Sequence, residues 1–310
     1  MFRLLPSGKV GVSDWESASQ SDLAWVHLDG WRPLAVQEFL RTQVGLEQGV
    51  AEDLSLFRFI LRFDHASGRA AAALPCPLDD GETQAGLLLL VCQGGLLITA
   101  SQDPSSFIRS LMEEWVEDPE GIGLTAPDLL CSATRALALG DSDVVDQIHE
   151  KIESLEDSIF EMKTFDASSA VAIKREALEL RRRLSQVRDF VMAVSRHGEP
   201  WAGQSKESMY LDIGSHVLHQ IESLDLARDI LSSVMDAQLG IISNRLNDVM
   251  RVLTVISTIM MASSLIAGIY GMNFSHLPGS SHPYGFILCV AAMAAVSAAI
   301  LFFFRRKGFL

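Results

Sequence analysis

The sequence predicts an α+β domain, then long stalk helices, then a two-helix transmembrane hairpin, and three observations carry that prediction. Short apolar or alternating runs separated by turn signals fill residues 1–130. From about residue 128 apolar side chains recur at three- and four-residue steps. Near the end of the chain, residues 252–270 and 284–304 form two runs without a single Asp, Glu, Lys or Arg. These divide the chain into 1–130, 131–248 and 249–310.

In the first segment, residues 23–28, 57–63, 87–92 and 96–100 read as strands, with Gly94-Gly95 as a hairpin turn between the last two. Residues 33–44 and 105–116 read as helices, the second capped by Ser105 or Ser106. Neither G-x-x-x-x-G-K-[ST] nor G-x-G-x-x-G occurs, so no nucleotide loop is expected.

The stalk begins with Val145, Ile148, Ile152, Leu155, Ile159 and Met162 on one helical stripe, and Ile173, Ala177, Leu180, Leu184, Val187, Val191 and Val194 make another. They predict an antiparallel pair turning near residues 164–169. A third stripe, Val217, Ile221, Leu224, Ala227, Leu231 and Val234, starts after the break at 198–205, and no proline follows Pro200 until Pro278. The third helix therefore continues into the first membrane run. At about 1.5 Å per residue it is a rod on the order of 100 Å long, which needs neighbouring helices to bury its stripe.

Each uncharged run approaches the ~20 residues that span a hydrocarbon core about 30 Å thick. Two helices joined by a short loop satisfy their own backbone hydrogen bonds, so a hairpin follows, with spans at 252–270 and 284–304. The loop, 271–283, has no charge, whereas Arg245 and Arg251 flank the first run and Arg305-Arg306-Lys307 close the second. The positive-inside bias then places both termini in the cytoplasm, the loop outside, and the chain in the cell (inner) membrane. Residues 1–11 have no secretory apolar core, which keeps the segment before the hairpin cytosolic.

The formal net charge is -14 over 310 residues, and no acidic residue follows Asp248. Such a balance disfavours nucleic acid and is compatible with attracting cations, or with plain solubility. Cys76, Cys92, Cys131 and Cys289 form no C-x-x-C pair and read as reduced thiols. No His, Ser or Cys accompanies Asp29 or Asp103 in a recognisable catalytic motif, so an enzyme is not expected. No organic cofactor is expected either.

Within the first membrane run Asn247, Met250, Thr254, Ser257, Met261, Ser264 and Gly268 fall at steps of three or four, and Val252, Ile256, Ile259, Leu265 and Ile266 are assigned to the opposite face. Small and hydroxylated residues let membrane helices pack closely. This stripe, however, ends in Gly271, Met272 and Asn273 at the membrane surface, where symmetric copies would form rings of carbonyls, hydroxyls and carboxamides suited to hydrated divalent cations.

Residues 266–274, Ile-Ala-Gly-Ile-Tyr-Gly-Met-Asn-Phe, resemble the signature of the CorA family of divalent metal ion transporters, and Tyr284-Gly285 opens the second helix as that family does. The resemblance extends through residues 244–253 and the basic tail, covering roughly the last 70 residues specifically. It implies a homopentamer with a cytosolic funnel, a pore-lining stalk helix and an outer second helix, with membrane lipid and divalent cations as its other partners. It also implies a filter at Gly271, Met272 and Asn273, pore layers at Gly268, Ser264 and Met261, a hydrophobic gate at Met250 and Leu253, and a regulatory metal at Asp212. Mg²⁺ is the expected ion, with Co²⁺ and Ni²⁺.

Three departures bear on the ion. Magnesium-type members have a proline where Ala262 stands and an acid where Gly279 stands, and this loop offers His276 and His282 instead. Imidazole suits zinc, although two exposed, unliganded rings are the plainer reading. Trp25-Val-His-Leu-Asp29 is similar to the opening of the zinc-transporting ZntB branch, so proton-coupled Zn²⁺ transport is the alternative, and a non-conducting coiled-coil scaffold or sensor is the alternative of another class. His216 and His219, three residues apart, are read as solvent-facing, and Asp141, Asp143, Asp146, Glu150, Glu153, Glu156, Asp157 and Glu161 as the wet face of a helix.

Overall fold

The structure is a computed structural model that describes residues 2–4, 10–12, 15–30, 32–56, 60–64, 68–77, 85–101, 106–160, 166–197, 207–272 and 283–308. The chain divides into two compact units, Met1–Val234 and Met235–Leu310.

The first unit is built on strands β1 (Phe2–Leu4), β2 (Val10–Val12), β3 (Ala24–Asp29), β4 (Ile60–Asp64), β5 (Arg69–Pro77), β6 (Ala85–Gln93) and β7 (Leu96–Ser101). Their order in the sheet is β2-β1-β3-β7-β6-β5-β4. β3 and β7 are parallel, with Trp25 beside Leu97 and Asp29 beside Ser101, and the other pairs are antiparallel. The β6–β7 hairpin turns at Gly94, whose φ of 57° is one that glycine adopts without a Cβ penalty.

Alternation along β3 assigns its residues to two cores. Val26 and Leu28 join Val36 and Leu40 of α2 (Pro33–Thr42) and Ala51 and Leu54 of α3 (Gln48–Ser55) on one face of the sheet. Trp25 points the other way, 6.0 Å from Trp115 of α4 (Ser106–Glu117), and α6 (Ala126–Leu139) also packs on that face against β6 and β7. A capping box opens α6, where the Thr125 side chain accepts from Asp128 N and the Asp128 carboxylate accepts from Thr125 N. Two short helices, α1 (Trp15–Ser19) and α5 (Pro119–Ile122), complete the layer arrangement. The periodicity underlying the sequence prediction locates β3, β6, β7, α2 and α4, but β1, β2, β5, α1, α3, α5 and α6 went unassigned. β5 carries Ala70 to Ala73, residues of low strand propensity that only a tightly covered sheet position accommodates. The boundary at 130/131 falls inside α6.

Beyond α6 run α7 (Ser142–Phe160), α8 (Ala167–His197) and α9 (Glu207–Tyr270). Asp166 caps α8, accepting from Ser168 N, Ser168 Oγ and Ser169 Oγ, bonds that pull its carboxyl down to about 2. Lys151 bonds Glu176 at 2.8 Å and Asp141 pairs with Arg183, so α7 and α8 run antiparallel, as the stripes predict. Arg181 holds Asp225 through two bonds of 2.7 and 3.1 Å, while Gly214 leaves room beside Val191 and Met192, which sets α8 antiparallel to α9. His149 meets Ser223 at 2.7 Å and Gln220 donates to Ser142 at 2.9 Å, tying α7 to α9.

One member of the predicted acidic face departs from it. Asp141 is buried, 1 % exposed, against a 3 % exposed Arg183. Its position ahead of α7 turns it inward, and burial raises its pKa even against the pull of that guanidinium. Asp143, Asp146, Glu150, Glu153 and Asp157 are exposed and Glu156 is half-buried; Glu161, like Met162 and Asp103, lies outside the described residues.

In the second unit, α9 continues through residue 270 and α10 spans Gly285–Arg306. Both helices are long and apolar enough to cross a membrane.

Candidate functional site

Because α9 is one uninterrupted helix, its 3.6-residue repeat decides which side chains share a face. Val255 is 2 % exposed, and Ser263 Oγ lies 3.5 Å from Ser297 Oγ of α10, so the helix pair meets along this side. Asn247, Met250, Leu253, Thr254, Ser257, Met261, Ser264 and Gly268 are all exposed, on a face that α10 leaves open. Met250 is 58 %, Leu253 53 % and Met261 70 % exposed. The assignment of Leu265 to the opposite side does not hold. It follows Met261 by four residues and precedes Gly268 by three, which puts it on their face, and it is 65 % exposed.

The Thr254 hydroxyl donates to the Met250 carbonyl at 2.7 Å, a local bond that still leaves oxygen lone pairs outward. A Cβ at Gly268 would meet nothing within 4 Å. Gly271 ends the helix, its N–H donating to Ala267 O at 2.8 Å, and Met272 N donates to Ile269 O at 3.3 Å. Asn273, His276, Gly279 and His282 lie outside the described residues.

In the first unit Asp212 is exposed and lines a cavity of about 240 Å³ with Arg135, Met209, Ile213 and His216. Asp212 and His216 are one turn apart, so they share the cavity wall. The expectation of a solvent-facing His216 fails in part. Its Nε2 is buried without a hydrogen-bond partner, whereas His219, on the other side of the turn, is exposed. The i, i+4 spacing of Asp212 and His216 was readable in the sequence, but the approach of α6 with Arg135 was not. Among the described residues no three or more His, Cys, Asp or Glu side chains gather as a metal cage.

A three-layer α/β/α unit, a 64-residue helix and two helices long and apolar enough to cross a membrane fit a two-span membrane protein. The family profile described as CorA-like Mg²⁺ transporter protein matches residues 20–306, and this chain belongs to the CorA family, a family of transporters rather than enzymes. It is 30% identical over 183 residues to the cobalt/magnesium transport protein CorA of Thermotoga maritima, an alignment covering 59% of this chain and 52% of that one. It is 23% identical over 192 residues to the zinc transport protein ZntB of Pectobacterium atrosepticum, covering 62% and 59%. These alignments span little more than half the length of the curated relatives. The solved CorA magnesium transporter of Methanocaldococcus jannaschii has the same fold, with a TM-score of 0.79 at 22% identity over 94% of this chain and 92% of that one.

Proposed function

We propose that this protein moves divalent metal cations across the membrane as a homopentamer, with α9 of each copy facing the symmetry axis. The observation that carries the reading is the stripe of small, polar and thioether residues from Asn247 to Gly268, on the side of α9 away from α10 and unlike the aliphatic Val252 and Ile256. Turned to an axis, that face supplies oxygen and thioether groups in successive layers, with Met250 and Leu253 narrow and apolar enough to gate by expelling water. Gly271, Met272 and Asn273 form the outer filter, where a carboxamide ring holds Mg²⁺ through its hydration shell. Membrane potential then drives the ion inward, at about 2.3 kcal/mol per charge per 100 mV. Asp212 binds cytosolic metal and favours the closed state. Both termini are cytoplasmic in this scheme.

Mg²⁺, with Co²⁺ and Ni²⁺, is the first assignment. Zn²⁺ is the second, favoured by the likeness to ZntB and by His276 and His282 in a loop without acids. Metal uptake by liposomes carrying the purified protein tests the reading: Asn273→Ala should lower uptake and Asp212→Ala should weaken inhibition by internal metal. Wild-type uptake from Asn273→Ala would remove Asn273 from the filter, and no metal uptake by the wild-type protein would leave the scaffold reading in its place.

A further inference from the structure

β3 and β7 are neighbouring parallel strands whose chains leave the sheet toward opposite faces. After β3 the chain enters α2, packed with Val26 and Leu28, and after β7 it enters α4, packed with Trp25. In α/β sheets such a divergence opens a crevice at the carboxyl ends of the two strands, and ligands bind there. At this place the structure gathers His27, Asp29, Ser101 and Arg109.

The His27 side chain is only 8 % exposed. Its Nδ1 lies 2.9 Å from Thr99 Oγ1, and its Nε2 is buried without a hydrogen-bond partner. That nitrogen faces Asp29 Oδ1 at 4.0 Å, too far for a hydrogen bond. Ser101 Oγ is 3.4 Å from the same carboxylate oxygen, while Arg109 takes the other one, Oδ2. In the tautomer that carries its proton on Nδ1 and donates it to Thr99 Oγ1, a bare imidazole lone pair and a carboxylate oxygen confront each other, two acceptors with a gap that a cation fills.

We propose that His27 Nε2 and Asp29 Oδ1 bind a divalent cation of the imidazole-preferring class, Zn²⁺ or Co²⁺, with Ser101 Oγ and water completing the shell. Zinc takes nitrogen and oxygen at about 2.0–2.2 Å, which at a tetrahedral angle puts the two donors ~3.4 Å apart. A contraction of ~0.6 Å from the present gap closes the site, within the reach of a χ2 rotation. The partners one layer out suit a metal site: Thr99 Oγ1 can accept the Nδ1–H of the zinc-bound imidazole and Arg109 orients the carboxylate. Thr99 is itself held by Trp25 Nε1 at 3.1 Å. The adjacent Arg109 charge makes the site weak, which suits a sensor more than a structural metal. Mg²⁺, which prefers an all-oxygen shell, is not its ligand.

Zn²⁺ binding to the full-length protein in detergent, read by calorimetry, tests this without reference to flux. The wild type should bind one more zinc per chain than His27→Gln and Asp29→Asn, whatever the pore and Asp212 hold, and this increment should weaken about 10–100-fold in Thr99→Val and survive in Asp212→Ala. Mg²⁺ in excess should not displace it. An unchanged zinc stoichiometry in a His27→Gln protein of wild-type Tm overturns the assignment. Because His27 is buried and its replacement can cost folding, zinc-edge anomalous diffraction from wild-type crystals grown with Zn²⁺ gives the second reading. A peak about 2.1 Å from His27 Nε2 supports the site, and peaks elsewhere alone refute it. A protein that fails to transport in liposomes can still pass both measurements, so the two readings fail separately.

Discussion

A Cβ at Gly268 would meet nothing within 4 Å, on the side of α9 away from the Ser263–Ser297 contact with α10. Gly268→Trp should therefore keep the helical circular dichroism of the wild type and lose cation uptake, since the clash arises only where several copies approach one axis. Retained uptake removes Gly268 from the pathway. Asp141 and Arg183 pose the opposite case, two charges shut inside the stalk. Removing Asp141 strips a buried guanidinium of its carboxylate, so Asp141→Ala should cost about 3–5 kcal/mol of unfolding free energy, measurable by denaturant titration of the solubilised protein. Asp225 provides a pH signature. The bonds from Arg181 hold its carboxyl below the usual carboxylate range. A lowered folded pKa contributes stability above the unfolded value near 4, and that contribution is lost as pH falls through the folded one. Asp225→Asn should flatten the acid limb of the stability curve below about pH 4, in the window where the wild type still loses stability.

At the scale of elements, α9 is the informative one. Its stripe from Val217 to Val234 is buried by α7 and α8, whereas Leu239, Leu246, Val249 and Met250 beyond it are exposed. Gly240 stands in this second stretch with nothing within 4 Å of its Cβ position. Glycine inside a helix costs roughly 0.5–1 kcal/mol relative to alanine. Gly240→Ala should raise amide hydrogen-exchange protection by about that amount around residue 240, unless neighbouring copies pack there. Unchanged protection, with loss of oligomer in native mass spectrometry, would show that close approach between chains needs this glycine. The long stripes made α7, α8 and α9 legible from sequence, because a 3.6-residue repeat sustained over five or more turns has few other causes. α3 and α6 were harder to read. α3 has only eight residues, and α6 is apolar on several sides because strands and helices both cover it.

For the whole molecule, the proposed transport divides into two cation assignments. The relatives divide between cobalt/magnesium and zinc transport proteins. Competition among Mg²⁺, Co²⁺, Ni²⁺ and Zn²⁺ in one reconstituted flux assay, at two pH values, separates the assignments. A magnesium channel should show Mg²⁺ uptake insensitive to a proton gradient, and a zinc transporter should show uptake that changes with it.

The amino-acid sequence by itself determined the two apolar runs long enough to cross a membrane, the basic flanks, the length of the stalk and the stripe of small and polar residues, because each depends only on local composition and on the fixed geometry of one helix. The tertiary structure decided the rest. The side of α9 that α10 covers, the inward turn of Asp141, the entry of His216 into a cavity beside Asp212, and the meeting of His27 with Asp29 and Ser101 all require elements distant in the chain to be brought together. No local periodicity encodes such contacts, since they arise from which faces must be buried at once when the sheet, the helices and the stalk share cores.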